Sequence, residues 1–133
     1  MKETDTTEVV ELLESYSAYY NHLHAQKYAK TYFNRKGTIH YWNKEECIQK
    51  IDFIKELIAG LPQSKLSTLL KLHYIDGLTL NQCSECMDYS HAQIYRILQK
   101  AKIAANNRYQ EMKQKQKEKE KENERWREMY ERN

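Results

Sequence analysis

Apolar residues recur along the chain at steps of three and four, in five separate runs. Val9, Leu12, Leu13, Tyr16, Tyr20 and Leu23 mark the first. That spacing lays one apolar stripe along a helix and predicts a helix over residues 7–33, with Thr6 or Thr7 as its cap. Residues 34–43 read as a connection, with Gly37 as breaker. Cys47, Ile48, Ile51, Ile54, Leu57 and Ile58 predict a second helix over Lys44–Ala59, capped by Asn43 and stopped by Gly60. A third follows Pro62, carries Leu66, Leu69, Leu70, Leu72 and Tyr74, and ends at Asp76-Gly77. A short fourth covers Leu80–Met87 behind the cap Thr79. After a tight turn at Asp88-Tyr89, Ser90 caps a fifth, whose apolar face is Ile94, Ile97, Leu98 and Ala101.

The pattern then changes character. Residues 110–133 alternate Lys with Gln and then Lys with Glu, eight basic against seven acidic. Opposite charges four apart can pair along a helix, each pair worth tenths of a kcal/mol. Beneath the charges, Ala105, Tyr109, Met112, Gln116, Lys119, Asn123, Trp126 and Tyr130 follow steps of four and three. This is a heptad seam, apolar at both ends and polar in the middle, and it suggests a coiled-coil contact. A helix from Ser90 to Tyr130 would be about 60 Å long. Its alternative is a solvated, frayed extension, but Trp126, Met129 and Tyr130 at i, i+3 and i+4 form a patch that suits a partner.

Composition agrees with helices throughout. Three glycines and one proline in 133 residues leave little material for turns between strands, and the fold class expected is all-α, a helical domain with a long C-terminal helix. The organisation expected is an N-terminal helical region over 1–60, a central unit over 61–105 and a charged helical extension over 106–133. No apolar run approaches the roughly 18 residues of a membrane span, so no membrane partner is expected. The acidic start shows no signal-peptide pattern. Three cysteines then suit reduced thiols and a cytoplasmic location.

Charge is distributed unevenly. Residues 1–24 hold five acids and one lysine, whereas residues 25–44 hold Lys27, Lys30, Arg35, Lys36 and Lys44 and no acid. Residues 90–108 hold Arg96, Lys100, Lys102 and Arg108, again with no acid. Acid-free basic stretches suit a polyanion, because phosphate contacts gain from counterion release; a solvated helix face is the plainer explanation of the same charges.

The stretch from Leu61 to Ala101 carries the functional signal. Cys83 and Met87 of the short helix can pack on Ile94 and Ile97 of the next. A three-residue turn between them forces a steep crossing, which is the layout of a helix-turn-helix. The outer face of the second helix then presents His91, Gln93, Tyr95, Arg96, Gln99 and Lys100. Gln and Arg can contact base edges bidentately, while Lys and Tyr can reach phosphates. Ser90, as cap, and Thr79 and Gln82, at the start of the first helix, are placed to touch the duplex backbone.

This stretch resembles the region 4 helix-turn-helix of sigma-70-type factors, and more closely the phage-borne ArpU-type transcriptional regulators. The resemblance rests on Leu61-Pro62, the leucine-rich helix ending at Tyr74, Asp76-Gly77-Leu78-Thr79, Tyr89-Ser90 and Ile94-Tyr95-Arg96. It implies a DNA-binding domain whose helix after the serine reads the major groove. The chain departs from the pattern at Cys83 and Ser84, where a branched aliphatic residue and Ala are usual, and at Asp88, where Gly is usual. Asp tolerates the left-handed backbone better than most residues. Residues 1–60 carry no motif of that family.

Rival chemistry is thin. Cys83 and Cys86 have redox or metal spacing, but a structural zinc site needs four ligands, and cysteine also serves as a small core residue. His22 and His24 point to different helix faces; His40 lies in the connection and His73 in a core helix. No nucleophile triad, paired carboxylates or Gly-rich phosphate loop stands out. The expectation is therefore a non-enzymatic, sequence-specific DNA-binding regulator without metal or cofactor, acting on phage or mobile-element genes. Double-stranded DNA is the expected partner, RNA polymerase a candidate one, and a homodimer a candidate assembly. The alternative is a helical adaptor that docks on RNA polymerase or another regulator without binding DNA.

Overall fold

The computed structural model describes residues 5–33 and 44–131. The connection with Gly37, His40 and Asn43, and the basic side chains Lys27, Lys30, Arg35 and Lys36, lie outside the described residues. Within them every regular element is helical: α1 (Thr7–Glu14), α2 (Tyr16–Phe33), α3 (Lys44–Ala59), α4 (Ser64–Leu70), α5 (Leu80–Met87) and α6 (His91–Glu131). The fold is all-α with a long C-terminal helix, as the apolar periodicity requires.

The first predicted helix is divided at Ser15. The Ser15 hydroxyl donates to the Leu12 carbonyl, and the Ser15 N–H is shared between Glu11 O at 3.0 Å and Leu12 O at 3.2 Å. Such back-bonding competes with the regular ladder and bends helices. Neither threonine caps α1 through its side chain; Asp5 Oδ1 instead accepts the Thr7 N–H at 3.0 Å. That bond holds the Asp5 carboxyl below its ordinary pKa.

α3 spans the predicted residues and buries Cys47, Ile51, Ile54, Leu57 and Ile58. Ile48, counted in the apolar set, sits at the edge of that stripe and stays 39% exposed. Gly60 ends the helix beside Arg108: a Cβ there would lie 2.5 Å from Arg108 Nε. Arg108 Nε is itself buried without a hydrogen-bond partner among the described residues. One basic residue of the 90–108 stretch is thus folded back against the end of α3.

α4 runs into one π-helical turn over Lys71–Ile75, closed by the Asp76 N–H on Lys71 O at 2.9 Å. Ser67 donates to Ile58 O at 2.8 Å and ties α4 to the end of α3. The wide turn brings His73 to the following loop, where Nδ1 donates to Leu78 O at 2.8 Å. Gly77 takes φ 75° in open space, a conformation that costs glycine little.

One hydrophobic cluster joins Val9 and Leu13 of α1, Ile54 and Leu57 of α3, Leu69 and Leu70 of α4, and Ile94, Ala101 and Ala105 of α6. Each of these is at most 1% exposed. α6 is the spine, with α1, α3, α4 and α5 all packed on it, while α2 lies on α3 and the π turn. Burial of each large aliphatic side chain contributes about 1.5–3 kcal/mol, so this framework holds the start of α6 rigidly. No helix of the described residues is long and apolar enough to cross a membrane.

Candidate nucleic-acid interface

The unit α5–turn–α6 is built by short-range bonds that the sequence spells out. Thr79 caps α5 in extended backbone (φ −68°, ψ 161°). Its Oγ1 accepts the Gln82 N–H at 3.2 Å, and Gln82 Oε1 accepts the Thr79 N–H at 2.9 Å. α5 ends at Asp88, which is left-handed (φ 58°, ψ 44°). Across this turn the Tyr89 N–H donates to Ser84 O at 3.1 Å and the Ser84 hydroxyl donates to Tyr89 O. Ser84 is buried and so has a task that the Ala usual at its position in the resembled families could not perform. Ser90 then caps α6 as Thr79 caps α5: the Ser90 N–H donates to Gln93 Oε1 at 2.9 Å, and Ser90 Oγ accepts the Gln93 N–H at 3.2 Å.

These two reciprocal caps are the ones expected of Thr79 and Ser90, and they give Gln82 and Gln93 a task not expected of them from the sequence. Thr79, Gln82, Ser90 and Gln93 are all exposed, yet their side chains are bonded to the backbone of the helix each begins. A Gln reads adenine with its carbonyl and its amide together. Gln93 has its carbonyl committed to the cap, so its amide can donate but cannot make that bidentate contact. The motif S/T-x-x-Q is visible in the sequence as a capping box, and it occupies the side-chain carbonyls of Gln82 and Gln93 while leaving their amides to donate.

The remaining predicted residues converge. Ile94, Ile97 and Leu98 are buried against Cys83 and the rest of the core. His91, Tyr95, Arg96, Gln99 and Lys100 are exposed, with Tyr95 57% open. The first turn of α6 carries no acid, and helix N-termini attract anions through their free amides and macrodipole. The nearest acids along the chain are Glu85 and Asp88, at the end of α5 and in the turn, both exposed. The outward stripe also continues past the residues picked from sequence: Ile103 is 43% exposed, and it follows Arg96 and Gln99 at helical spacing, with Asn107 next. No role was expected of it from the sequence, although an exposed aliphatic group can meet a thymine methyl.

Other chemistry does not assemble. Cys47, Cys83 and Cys86 are free thiols. Burial raises the Cys83 and Cys47 thiol pKa values, which disfavours the reactive thiolate. Among the described residues no three His, Cys, Asp or Glu side chains group as a metal site. His24 rests on the Tyr20 ring, with centroids 4.2 Å apart.

The family described as "Protein of unknown function (DUF1492)" matches residues 28–106, from the second half of α2 through the outward stripe of α6. No curated protein and no solved structure matches the chain.

Proposed function

The chain belongs to the DUF1492 family, whose description assigns no activity, and on the geometry of α5–turn–α6 we propose that it is a sequence-specific DNA-binding regulator of transcription. The observation that carries this reading is the start of α6. His91, Tyr95, Arg96, Gln99 and Lys100 stand free on one side while Ile94, Ile97 and Leu98 fix the other side to the core. A helix held in this way can enter a major groove without rearrangement. In the proposal Arg96 and Gln99 contact base edges, Lys100 and Tyr95 reach phosphates, and Gln82 and Gln93 donate through the amides their caps leave over. The resemblance to region 4 of sigma-70-type factors and to ArpU-type regulators supports promoter or operator DNA of phage or mobile-element genes as the target. In this reading the protein acts in the cytoplasm and RNA polymerase is a second partner.

The experiment is selection of bound duplexes from a random pool, followed by titration of the winner at several salt concentrations. Affinity should fall steeply with salt. Arg96→Ala should weaken binding by roughly 1–3 kcal/mol and relax one base position, with the melting temperature nearly unchanged because Arg96 is exposed. Recovery of no sequence, together with a flat salt response, overturns the proposal. A second reading, an adaptor without DNA activity, is favoured by the exposed Trp126, Met129 and Tyr130. It predicts that Arg96→Ala changes nothing and that Trp126→Ala abolishes partner capture.

A further inference from the structure

Beyond Met112 the seam residues of α6, Gln116, Lys119, Asn123, Trp126 and Tyr130, are exposed among the described residues. Trp126, Met129 and Tyr130 are 52%, 65% and 76% exposed, and Trp126 stacks on its neighbour Tyr130, with centroids 6.3 Å apart. We propose that this free half is a dimerisation helix, pairing antiparallel with the same segment of a second copy, with Lys119 facing the partner's Tyr130 and Asn123 facing the partner's Trp126.

The choice of occupant and register comes from charge and burial. In a heptad seam the a positions are Tyr109, Gln116, Asn123 and Tyr130, and the d positions are Ala105, Met112, Lys119 and Trp126. Antiparallel pairs set a against d, so three closed registers are available. Pairing the whole seam, with Tyr109 on the partner's Trp126, needs Ala105 and Met112 to be open, but they are 0% and 7% exposed beneath the rest of the fold. Shifting by one heptad sets Glu120 against the partner's Glu120 and Lys113 against the partner's Arg127, like charges that oppose association. Shifting by one more sets Glu120 against the partner's Arg127, twice by symmetry, and leaves Glu122 beside the partner's Met129. A parallel, in-register pair would instead bring two Lys119 ammonium groups together in the seam.

The favoured register also gives each polar seam residue an aromatic it can use. The Lys119 stem lies on the partner's Tyr130 ring with its ammonium over the face. Asn123 can accept from the indole N–H of the partner's Trp126, which keeps that donor satisfied when buried. The seam looks polar in the middle when one helix is read alone; paired in this way, every layer holds an aromatic. The overlap is about 20 Å of helix, at the small end of protein interfaces, so the association is reversible.

This arrangement has a consequence that rests on the DNA-binding reading. The dyad falls between Glu124 and Arg125, roughly 50 Å along α6 from His91. Two recognition segments would then sit about 100 Å apart at opposite ends of a rod. Adjacent half-sites lie one helical turn, about 34–36 Å, apart. Such a dimer joins two separated DNA segments and does not clamp a compact palindrome.

The experiment needs no DNA, so its result is independent of the DNA-binding reading. Sedimentation equilibrium of the full chain is run up to roughly 100 μM, a concentration that reaches weak interfaces of this size. A reversible dimer is expected. Glu120→Arg should weaken it roughly tenfold by opposing the partner's Arg127. Glu120→Arg combined with Arg127→Glu should restore it. In a parallel pair the same double exchange would set the introduced guanidinium against the partner's Lys115 and worsen association. Circular dichroism confirms that each variant keeps its helix. A chain that stays monomeric throughout overturns the proposal and leaves the patch to a different protein; a dimer that the double exchange fails to restore overturns the register.

Discussion

The two halves of α6 are one continuous helix held by different forces. From His91 to Met112 it is the spine of the fold, with Ile94, Ala101, Ala105 and Met112 buried beneath four other helices. From there to Tyr130 it is exposed on every side apart from Lys113, which bonds back to α1. The first half owes its form to tertiary packing, because isolated short helices are marginal in water. The second is made of Lys, Glu and Gln, residues of good helix propensity, propagated from a nucleus the core has already provided. Helical continuity therefore says nothing about how firmly a segment is held, and the two proposed roles divide along the same boundary. The rigid half can present a fixed array of side chains. The projecting half can carry a contact away from the body of the protein.

The largest expected effect tests the packed half. Ile94→Ala empties a site that is 1% exposed at the junction of α5 and α6, and should cost about 2–5 kcal/mol in urea unfolding. A loss under about 1 kcal/mol would mean that α5 is not locked on α6. A smaller effect separates the halves directly. Gln99→Gly, on the exposed side of the packed half, should lower global stability by about 1 kcal/mol, the ordinary cost of glycine in a helix. Lys121→Gly carries the same local cost, but in a segment whose opening is independent of the core. It should reduce helical ellipticity and leave the unfolding midpoint of the dilute chain in place. Equal midpoint shifts from the two would show that the whole of α6 unfolds as one cooperative unit.

Much of the packed half was legible in the sequence because its signals are local. The apolar period marked α3 and α5 to their ends, and Thr79 and Ser90 announced themselves as caps. Asp88 in place of Gly still forms the left-handed turn. What escaped was of two kinds. Ser15 and the π turn at Lys71–Ile75 are small departures within runs whose period stays helical, and a period of three and four does not register one extra residue or one competing hydroxyl. The fate of Arg108 and the exposure of Ile103 depend on which elements lie alongside α6, and that is decided by residues far away in the chain. For the candidate site, the outward set around Arg96 was readable from the helical wheel. The commitment of Gln82 and Gln93 to caps was also readable, but only to an eye that weighs a local bond before a base contact.

The smallest expected effect lies where α6 leaves the core. The Tyr109 hydroxyl donates to Glu8 Oε1 at 2.8 Å and Lys113 Nζ bonds the same oxygen at 3.2 Å, across 101 and 105 residues of sequence. The Tyr109 bond, and then Lys113, hold the Glu8 carboxyl below its ordinary value of 4.5. Burial, the bond to Glu8 and its charge push Tyr109 up to about 12. The signs follow from linkage. Glu8 is more acidic when folded, so its contribution is complete above pH 4.5 and is lost as pH falls through the lower folded value. Tyr109 is less acidic when folded, so its contribution is complete below pH 10 and is lost as pH rises towards 12. Burial raises Tyr16 and Tyr74 in the same direction, so the alkaline limb has several sources and substitution is needed to isolate this one. Glu8→Gln should flatten the acid limb of the urea midpoint against pH and soften the alkaline limb as well, whereas Tyr109→Phe should soften both while leaving Lys113 paired. Because Glu8 is exposed, the change is a matter of slope more than of overall stability. Amide exchange at residues 109–113 should quicken in Glu8→Gln and stay slow near Ile94, moving the boundary between the two halves of α6 about one turn towards the core. An acid limb identical to that of the unaltered chain would mean that α1 does not fasten α6 at this point.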